Sequence, residues 1–276
     1  MITDYANAVS NIREQLRSYL SKYNIKSLVV GQSGGIDSAI STVLAKPVCD
    51  ELKIKLIGRA ITIVSNKPDE IERAANIGKY FTHDFKHIDL SSSFETVARM
   101  AAENYDQADP KAHSFKIRMG NVKARMRMLY LYDLAQSSSG MVLSTDNYTE
   151  LLLGFWTLHG DVGDYGMIQN LWKSEVYDMA RYLASEMDDT NAAEALLSCV
   201  DAVATDGLGI TNSDLDQLKA ASYAEVDEIL IDYLRYPHKY DGDNLHPVIE
   251  RHLQSDYKRE NPYNIPREYI TDEPAI

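Results

Sequence analysis

The stretch Leu28-Val29-Val30-Gly31-Gln32-Ser33-Gly34-Gly35-Ile36-Asp37-Ser38 constrains the fold more than any other part of the chain. A continuous apolar run that stops at a glycine reads as a strand buried on both faces. A Gly-rich turn follows, and Ser38 to Lys46 then carries a helical pattern, with Pro47 near its end. The same alternation repeats. Leu56 to Val64 reads as a second strand, closed by Ser65-Asn66-Lys67-Pro68, and a helix runs from about Pro68 to Phe81. A short strand around His87-Ile88-Asp89 precedes a helix that Ser93 can cap and that runs toward Asn104. Lys116 to Ala135 then reads as a long helix, and Met141-Val142-Leu143-Ser144 as another buried strand. This order predicts an α/β fold, an open parallel sheet with helices on both faces.

An amphipathic helix leads into this unit. Tyr5, Val9, Ile12, Leu16 and Leu20 recur at helical spacing, with Thr3 placed to cap them. Beyond Asn170 the pattern is mainly helical, clearest at Lys173 to Ala184 and Ala224 to Leu234, so a helical C-terminal elaboration is expected. The tail from Asn261 reads as irregular. With no repeat, no low-complexity segment and no linker, residues 1–276 are expected to form one domain.

Composition narrows the function classes. A formal net charge of −13 argues against a nucleic-acid surface, which needs clustered Lys and Arg. It does not argue against a nucleotide, since small phosphates are held by backbone N–H groups and a few local cations. The 2 cysteines, Cys49 and Cys199, form no CxxC pair, so neither a disulfide framework nor a zinc site is expected. No basic and apolar leader is visible, and no apolar stretch reaches the roughly 18 residues of a membrane span. A cytoplasmic protein without membrane contact is the expectation.

The chemistry of the first motif is that of a phosphate cradle. Gly34 and Gly35 allow positive φ and a close approach of backbone to ligand. The helix that follows offers free N–H groups at the positive end of its dipole. Ser33 and Ser38 add hydroxyls. Asp37 is out of place beside a polyanion unless it holds a cation, and Mg²⁺ binds carboxylate and phosphate oxygens together. No Lys-Ser or Lys-Thr follows the glycines, so this is not a Walker A loop. The pattern Ser-Gly-Gly-x-Asp-Ser resembles the PP-loop of the ATP pyrophosphatases, which split ATP between its α and β phosphates.

Two further clusters carry chemistry. Gly120-Asn121-Val122-Lys123-Ala124-Arg125-Met126-Arg127-Met128 is unusually basic for this chain, with Asn121 and Arg125 on one helix face. It reads as an anion site or as a solvated basic face. Ser144-Thr145-Asp146-Asn147-Tyr148-Thr149-Glu150 follows a strand, where ligands bind in open parallel sheets. Glu150 can complete a Mg²⁺ site with Asp37, or complement a helix dipole. The loop Gly154 to Asp164 adds glycines, acids and aromatics, in which Phe155 serves either a ligand ring or the core.

Taken in order, these segments resemble the ammonia-dependent NAD synthetases. That family carries Ser-Gly-Gly-x-Asp-Ser, then Gly-Asn-x-x-Ala-Arg-x-Arg-Met, then Thr-Asp-x-x-x-Glu before a Gly-Phe-x-Thr-x-x-Gly-Asp loop. The resemblance runs from about Val29 to Leu183 and resumes more weakly near Ala204 and Ser222. It implies an adenine nucleotide α-hydrolase-like, Rossmann-like sheet, and amidation of deamido-NAD with ATP, Mg²⁺ and free ammonia. No glutaminase domain is expected, and a homodimer is. By motif, Gly31, Gln32, Ser33, Gly34, Gly35, Ile36, Asp37 and Ser38 would hold ATP, with Thr145, Lys173 and Thr205. Asp37 and Glu150 match the Mg²⁺ ligands. Arg125, Phe155, Asp164, Tyr257 and Lys258 match positions that contact deamido-NAD. Ser33 and Lys173 would stabilise the departing pyrophosphate, Asp161 would bind ammonium and assist its loss of a proton, and Ala204 to Asn212 would form either a lid or a plain surface loop. The alternatives are another PP-loop enzyme acting on a different acceptor, or a non-catalytic nucleotide-binding relative. Three departures from the family pattern stand out: Leu158 where a Lys is frequent, Tyr257 where a His is usual, and Ile61 to Asn66 in place of Pro-Tyr-Gly.

Overall fold

The computed structural model describes residues 1–64, 66–202, 214–240, 242 and 244–271. In chain order the regular elements are α1 (Tyr5–Tyr23), β1 (Ser27–Gly31), α2 (Ile36–Leu52), β2 (Lys55–Thr62), α3 (Pro68–Phe81), β3 (Asp84–Asp89) and α4 (Ser91–Ala101). Then come α5 (His113–Ser137), β4 (Gly140–Ser144), α6 (Tyr148–Leu153), β5 (Tyr165–Gly166), α7 (Lys173–Ser185), α8 (Thr190–Val200) and α9 (Asp214–Leu218). The C-terminal part adds α10 (Tyr223–Arg235), α11 (Pro247–Gln254) and α12 (Asp256–Arg259).

The strands form a five-stranded sheet in the order β3-β2-β1-β4-β5, and every pairing is parallel. Strand periodicity explains why both faces are covered. Along β1, Leu28 and Val30 point into a core built with α1, α2, α7 and α8, whereas Val29 points the other way, toward Ala135 of α5. Leu56 against Ile57 and Met141 against Val142 divide in the same way. The expected open parallel sheet with helices on both faces is what forms.

Local chemistry sets the helix ends. The cap of α1 is Asp4, one residue later than Thr3, and its Oδ1 accepts from Asn7 N at 2.9 Å. Pro47 does not end α2, which continues to Leu52. Proline removes one backbone donor and leaves the carbonyl four residues earlier without it. That carbonyl, Val43 O, instead accepts from Arg13 Nη2 at 3.5 Å, and the adjacent Leu44 O accepts from Arg13 Nε at 3.3 Å.

A second apolar cluster, Leu152, Leu153, Leu218, Tyr223, Val226, Leu230 and Val248, joins the C-terminal helices to α6. The order β3-β2-β1-β4-β5 places the reversal of strand order between β1 and β4. In a parallel sheet that opens a crevice at the carboxyl ends of those two strands.

Candidate active site

The crevice is a cleft of about 600 Å³ lined by the loop after β1, the residues after β4, the start of α7 and one face of α5. In the first loop Gly34 has φ +82, and a Cβ there would collide with the Glu70 carbonyl oxygen of α3. Only glycine suits that position. The loop also holds itself: Ser33 N donates to Ser38 Oγ at 3.3 Å, Gly35 N to Ser33 Oγ at 3.1 Å, and Ser38 Oγ to Gly35 O at 3.0 Å. Gly35 is the N-cap of α2 and supplies no side chain to cap its first N–H groups. Gly31, Gln32, Ser33, Gly34, Gly35, Ile36 and Asp37 line the cleft. Ser38 is buried behind them, and the Gln32 side chain donates to Thr42 inside the protein.

Three charged groups from three helices meet on this floor. Asp37 lies in the first turn of α2, Glu150 in the first turn of α6, and Lys173 is the first residue of α7. Lys173 Nζ donates to Asp37 Oδ2 and, at 2.9 Å, to Glu150 Oε1. Its side chain is only 2% exposed, so both carboxylates are paired with an ammonium out of reach of bulk water. Burial alone would lower the Lys173 pKa, but Asp37 and Glu150 overcome it and keep the group charged. Burial and the neighbouring Asp37 raise the Glu150 carboxyl, with Lys173 acting against them.

The supporting residues fix these groups. Asn147 caps α6 by accepting from Glu150 N at 3.0 Å, and its Nδ2 donates to Asp37 Oδ1 at 2.8 Å. Thr149 Oγ1 accepts from Lys173 N at 2.8 Å and donates to Asp227 Oδ1 at 2.5 Å. Asp227, from α10, also accepts from Ser174 N at 2.9 Å and from Ser174 Oγ at 2.6 Å. Asp146 is buried, accepts from Ser144 Oγ at 3.0 Å, and has its pKa pushed up to about 7 by burial, with Asp161 and Asp37 adding to the rise. Asp146 is the acid of the Thr-Asp-x-x-x-Glu motif, but the sequence assigns no role to it, to Asn147, which fills a variable position of that motif, or to Asp227.

On the opposite wall, Thr157 N donates to Asp161 Oδ2 at 2.7 Å and Thr157 Oγ1 to Asn121 Oδ1 at 2.9 Å. These bonds tie the loop after α6 to α5 and place Asp161 at the cleft. Phe155 lines the cleft with the Arg251 guanidinium 3.8 Å from its ring centre. Lys258 Nζ donates to Gly154 O at 2.7 Å and to Trp156 O at 2.5 Å, so it braces this loop. Its pKa is lowered by burial and, secondarily, by Arg251. Thr145 lines the cleft, and Tyr257 stands exposed at its rim.

Two candidates lie off this surface. Arg125 is exposed and donates to Leu158 O at 3.2 Å. Asp164 accepts from Val142 N at 2.9 Å and from Tyr132 OH at 3.1 Å, behind the wall of the cleft. Thr205 and the segment Ala204 to Asn212 lie outside the described residues.

Two carboxylates beside a ring of backbone donors can receive a polyphosphate and the hard cation that accompanies it. Among the described residues no cluster of three or more His, Cys, Asp or Glu side chains is arranged to hold a metal unaided. A cation here would complete its shell with phosphate oxygens and water. The family model for NAD synthase matches residues 8–262. The chain belongs to that family. It is similar to the NH(3)-dependent NAD(+) synthetase of Thermoplasma acidophilum, 30% identical over 264 residues that cover 95% of this chain and 98% of that protein. Among solved structures, NMN synthetase from Francisella tularensis superposes with a TM-score of 0.75 at 23% identity, over 96% of this chain and 99% of that one. NH3-dependent NAD synthetase from Campylobacter jejuni gives 0.69 at 20% identity, over 96% and 100% of the two chains. At these identities the two superpositions speak for the fold. Among the described residues no helix is long and apolar enough to cross a membrane.

Proposed function

We propose that this enzyme amidates deamido-NAD to NAD with ammonia and ATP, releasing AMP and pyrophosphate. The observation that carries the reading is the meeting of Asp37, Glu150 and Lys173 beside the Ser33–Ser38 loop, at the reversal point of the sheet. A carboxylate is a poor acyl donor because oxide is a poor leaving group. Its oxygen therefore attacks the α-phosphorus of ATP as the bond to pyrophosphate breaks. Ammonia then forms a bond to the carbonyl carbon, the bond to AMP breaks with its electron pair on the phosphate, and one proton leaves the nitrogen.

The loop amides and the Lys173 ammonium oppose the charge that gathers on the leaving pyrophosphate. Asp37 and Glu150 bring two carboxylates together on the cleft beside the Ser33–Ser38 loop, a hard-oxygen donor set that fits a Mg²⁺ site shared with ATP. When bound, the metal would supply Lewis-acid neutralisation of that leaving group. Asp161, which lines the cleft on the α5 side, would accept the proton from ammonium. Arg125, Phe155, Asp164, Tyr257 and Lys258 remain the proposed contacts of the dinucleotide, and Thr145 and Thr205 of ATP. The resemblance supports a homodimer, and the buried free thiols of Cys49 and Cys199 support a reducing, cytoplasmic setting.

The test is NAD formation, read by a coupled dehydrogenase, from ATP, Mg²⁺, deamido-NAD and ammonium. All four should be needed, and Glu150→Ala should lower the rate by about a hundredfold or more. ATP binding without NAD formation would point to a different carboxylate acceptor.

A further inference from the structure

The cleft is lined by four arginines, and three of them are already engaged. Arg59 Nη2 pairs with Asp84 Oδ2 at 2.9 Å, and its Nη1 donates to Gly58 O at 2.8 Å and to Asp84 O at 3.0 Å. Arg73 pairs with Asp69 at 2.8 Å and donates Nε to Gly34 O at 2.9 Å. Arg251 lies over Phe155 and donates Nε to Leu153 O at 2.9 Å. Arg127 is different. Its Nε donates to Ile61 O at 3.2 Å, which anchors the guanidinium at the C-terminal end of β2. Its two Nη groups make no hydrogen bond and no ion pair to any described residue. The group is half-buried, and burial lowers its pKa, with Asp161 and Glu70 opposing from beyond ion-pair distance.

A half-buried guanidinium with four unengaged N–H donors carries a desolvation cost that an anion would offset. Helix geometry explains why it is Arg127 and not Arg125 that faces the cleft. Asn121, Ala124, Met128 and Leu131 line it from α5, and Arg127 lies on the edge of that stripe, whereas Arg125 projects to the exposed side.

We propose that Arg127 binds the α-phosphate of ATP and holds it through the acyl-adenylate to AMP. This assignment rests on the adenylation reading above. The pyrophosphate end is already matched, by the Ser33–Ser38 amides and Lys173. Arg127 stands away from them, between the end of β2 and the wall that bears Thr157 and Asp161. The charge that stays behind when pyrophosphate leaves is on the α-phosphate, and the planar Nη pair suits its two non-bridging oxygens.

AMP and adenosine differ by that phosphate alone, so their affinities isolate the contact. Each would be titrated against the wild type, Arg127→Met and Arg127→Lys by competition with ATP, with NAD formation by the wild type measured on the same preparation. AMP affinity should fall about 10- to 100-fold in Arg127→Met while adenosine affinity stays unchanged, and Arg127→Lys should recover part of the loss. Equal losses for AMP and adenosine would assign Arg127 a merely structural role and overturn the proposal. Unchanged AMP affinity with weakened deamido-NAD binding would overturn it in favour of a carboxylate contact. Failure of the wild type to make NAD, with AMP still sensitive to residue 127, would instead sink the choice of acceptor and leave the phosphate contact standing.

Discussion

Asp146 shows how one buried side chain makes stability depend on pH. Its carboxyl has an ordinary value of 3.8 and is pushed to about 7 in the folded chain. Between those values the folded state keeps a proton that the unfolded state has lost. The stabilising contribution is therefore complete below the unfolded value and disappears as pH rises through about 7. Urea midpoints of the nucleotide-free protein should decline between about pH 5 and about pH 8, and Asp146→Asn should flatten that decline. An equally steep decline in the variant would assign the dependence to other groups. The residue scale is also where the sequence was most legible and least complete. Gly34 and Asp37 can be read directly because their chemistry follows from the motif. Arg127 was visible only as part of a basic run, since nothing in the spacing says which of two arginines turns inward until α5 is packed. Asp227 reaches the site from a helix far along the chain, and its role has no local signal.

Among the elements, α6 is short and begins in the site, so its cap has two tasks. Asn147 closes the first turn through Glu150 N and holds Asp37 through its amide. Asn147→Ala should cost about 1 kcal/mol in urea unfolding, the usual worth of an N-cap. It should also lower the rate of NAD formation by more than that loss of stability accounts for, because Asp37 is released. A rate unchanged from wild type would show that Lys173 alone holds Asp37. Among the helices with strong apolar periodicity, α3 forms over the expected span, while α7 runs one residue past Ala184 and α10 one residue beyond each expected end. Pro47 misled, because the arginine that takes up the freed carbonyl comes from α1 and only tertiary packing brings it there. The two-residue strand β5 is too short to show a period, and α8, although capped by Asp189, was not read as a separate helix.

For the molecule as a whole, the site lies where two apolar clusters meet. The sheet core carries the Ser33–Ser38 loop, and the C-terminal cluster carries α10, whose Asp227 holds Thr149 and Ser174 in place. Leu230 is fully buried in the second cluster, about one helical turn from Asp227. Leu230→Ala should cost about 2–5 kcal/mol. Amide exchange should quicken across α10 and α11 while β1 and β2 stay protected, and NAD formation should fall with it. Uniform loss of protection would mean that the clusters unfold as one. The parallel sheet followed from the strand-helix alternation, whereas the strand order, and with it the reversal point, is set by tertiary packing. The C-terminal helices were legible as helices, but their hold on the carboxylates depends on contacts between residues 53 and 78 positions apart.

Lys173 gives the chain its own counter-ion. Two acidic side chains brought together away from water would repel each other and oppose folding unless a cation arrived with them. Here that cation is encoded on the same polypeptide, at the first residue of α7, and is set in place by the folding that brings the acids together. The pairing of the two acids is thus written into the sequence as a third side chain, and their mutual repulsion is answered from within the fold.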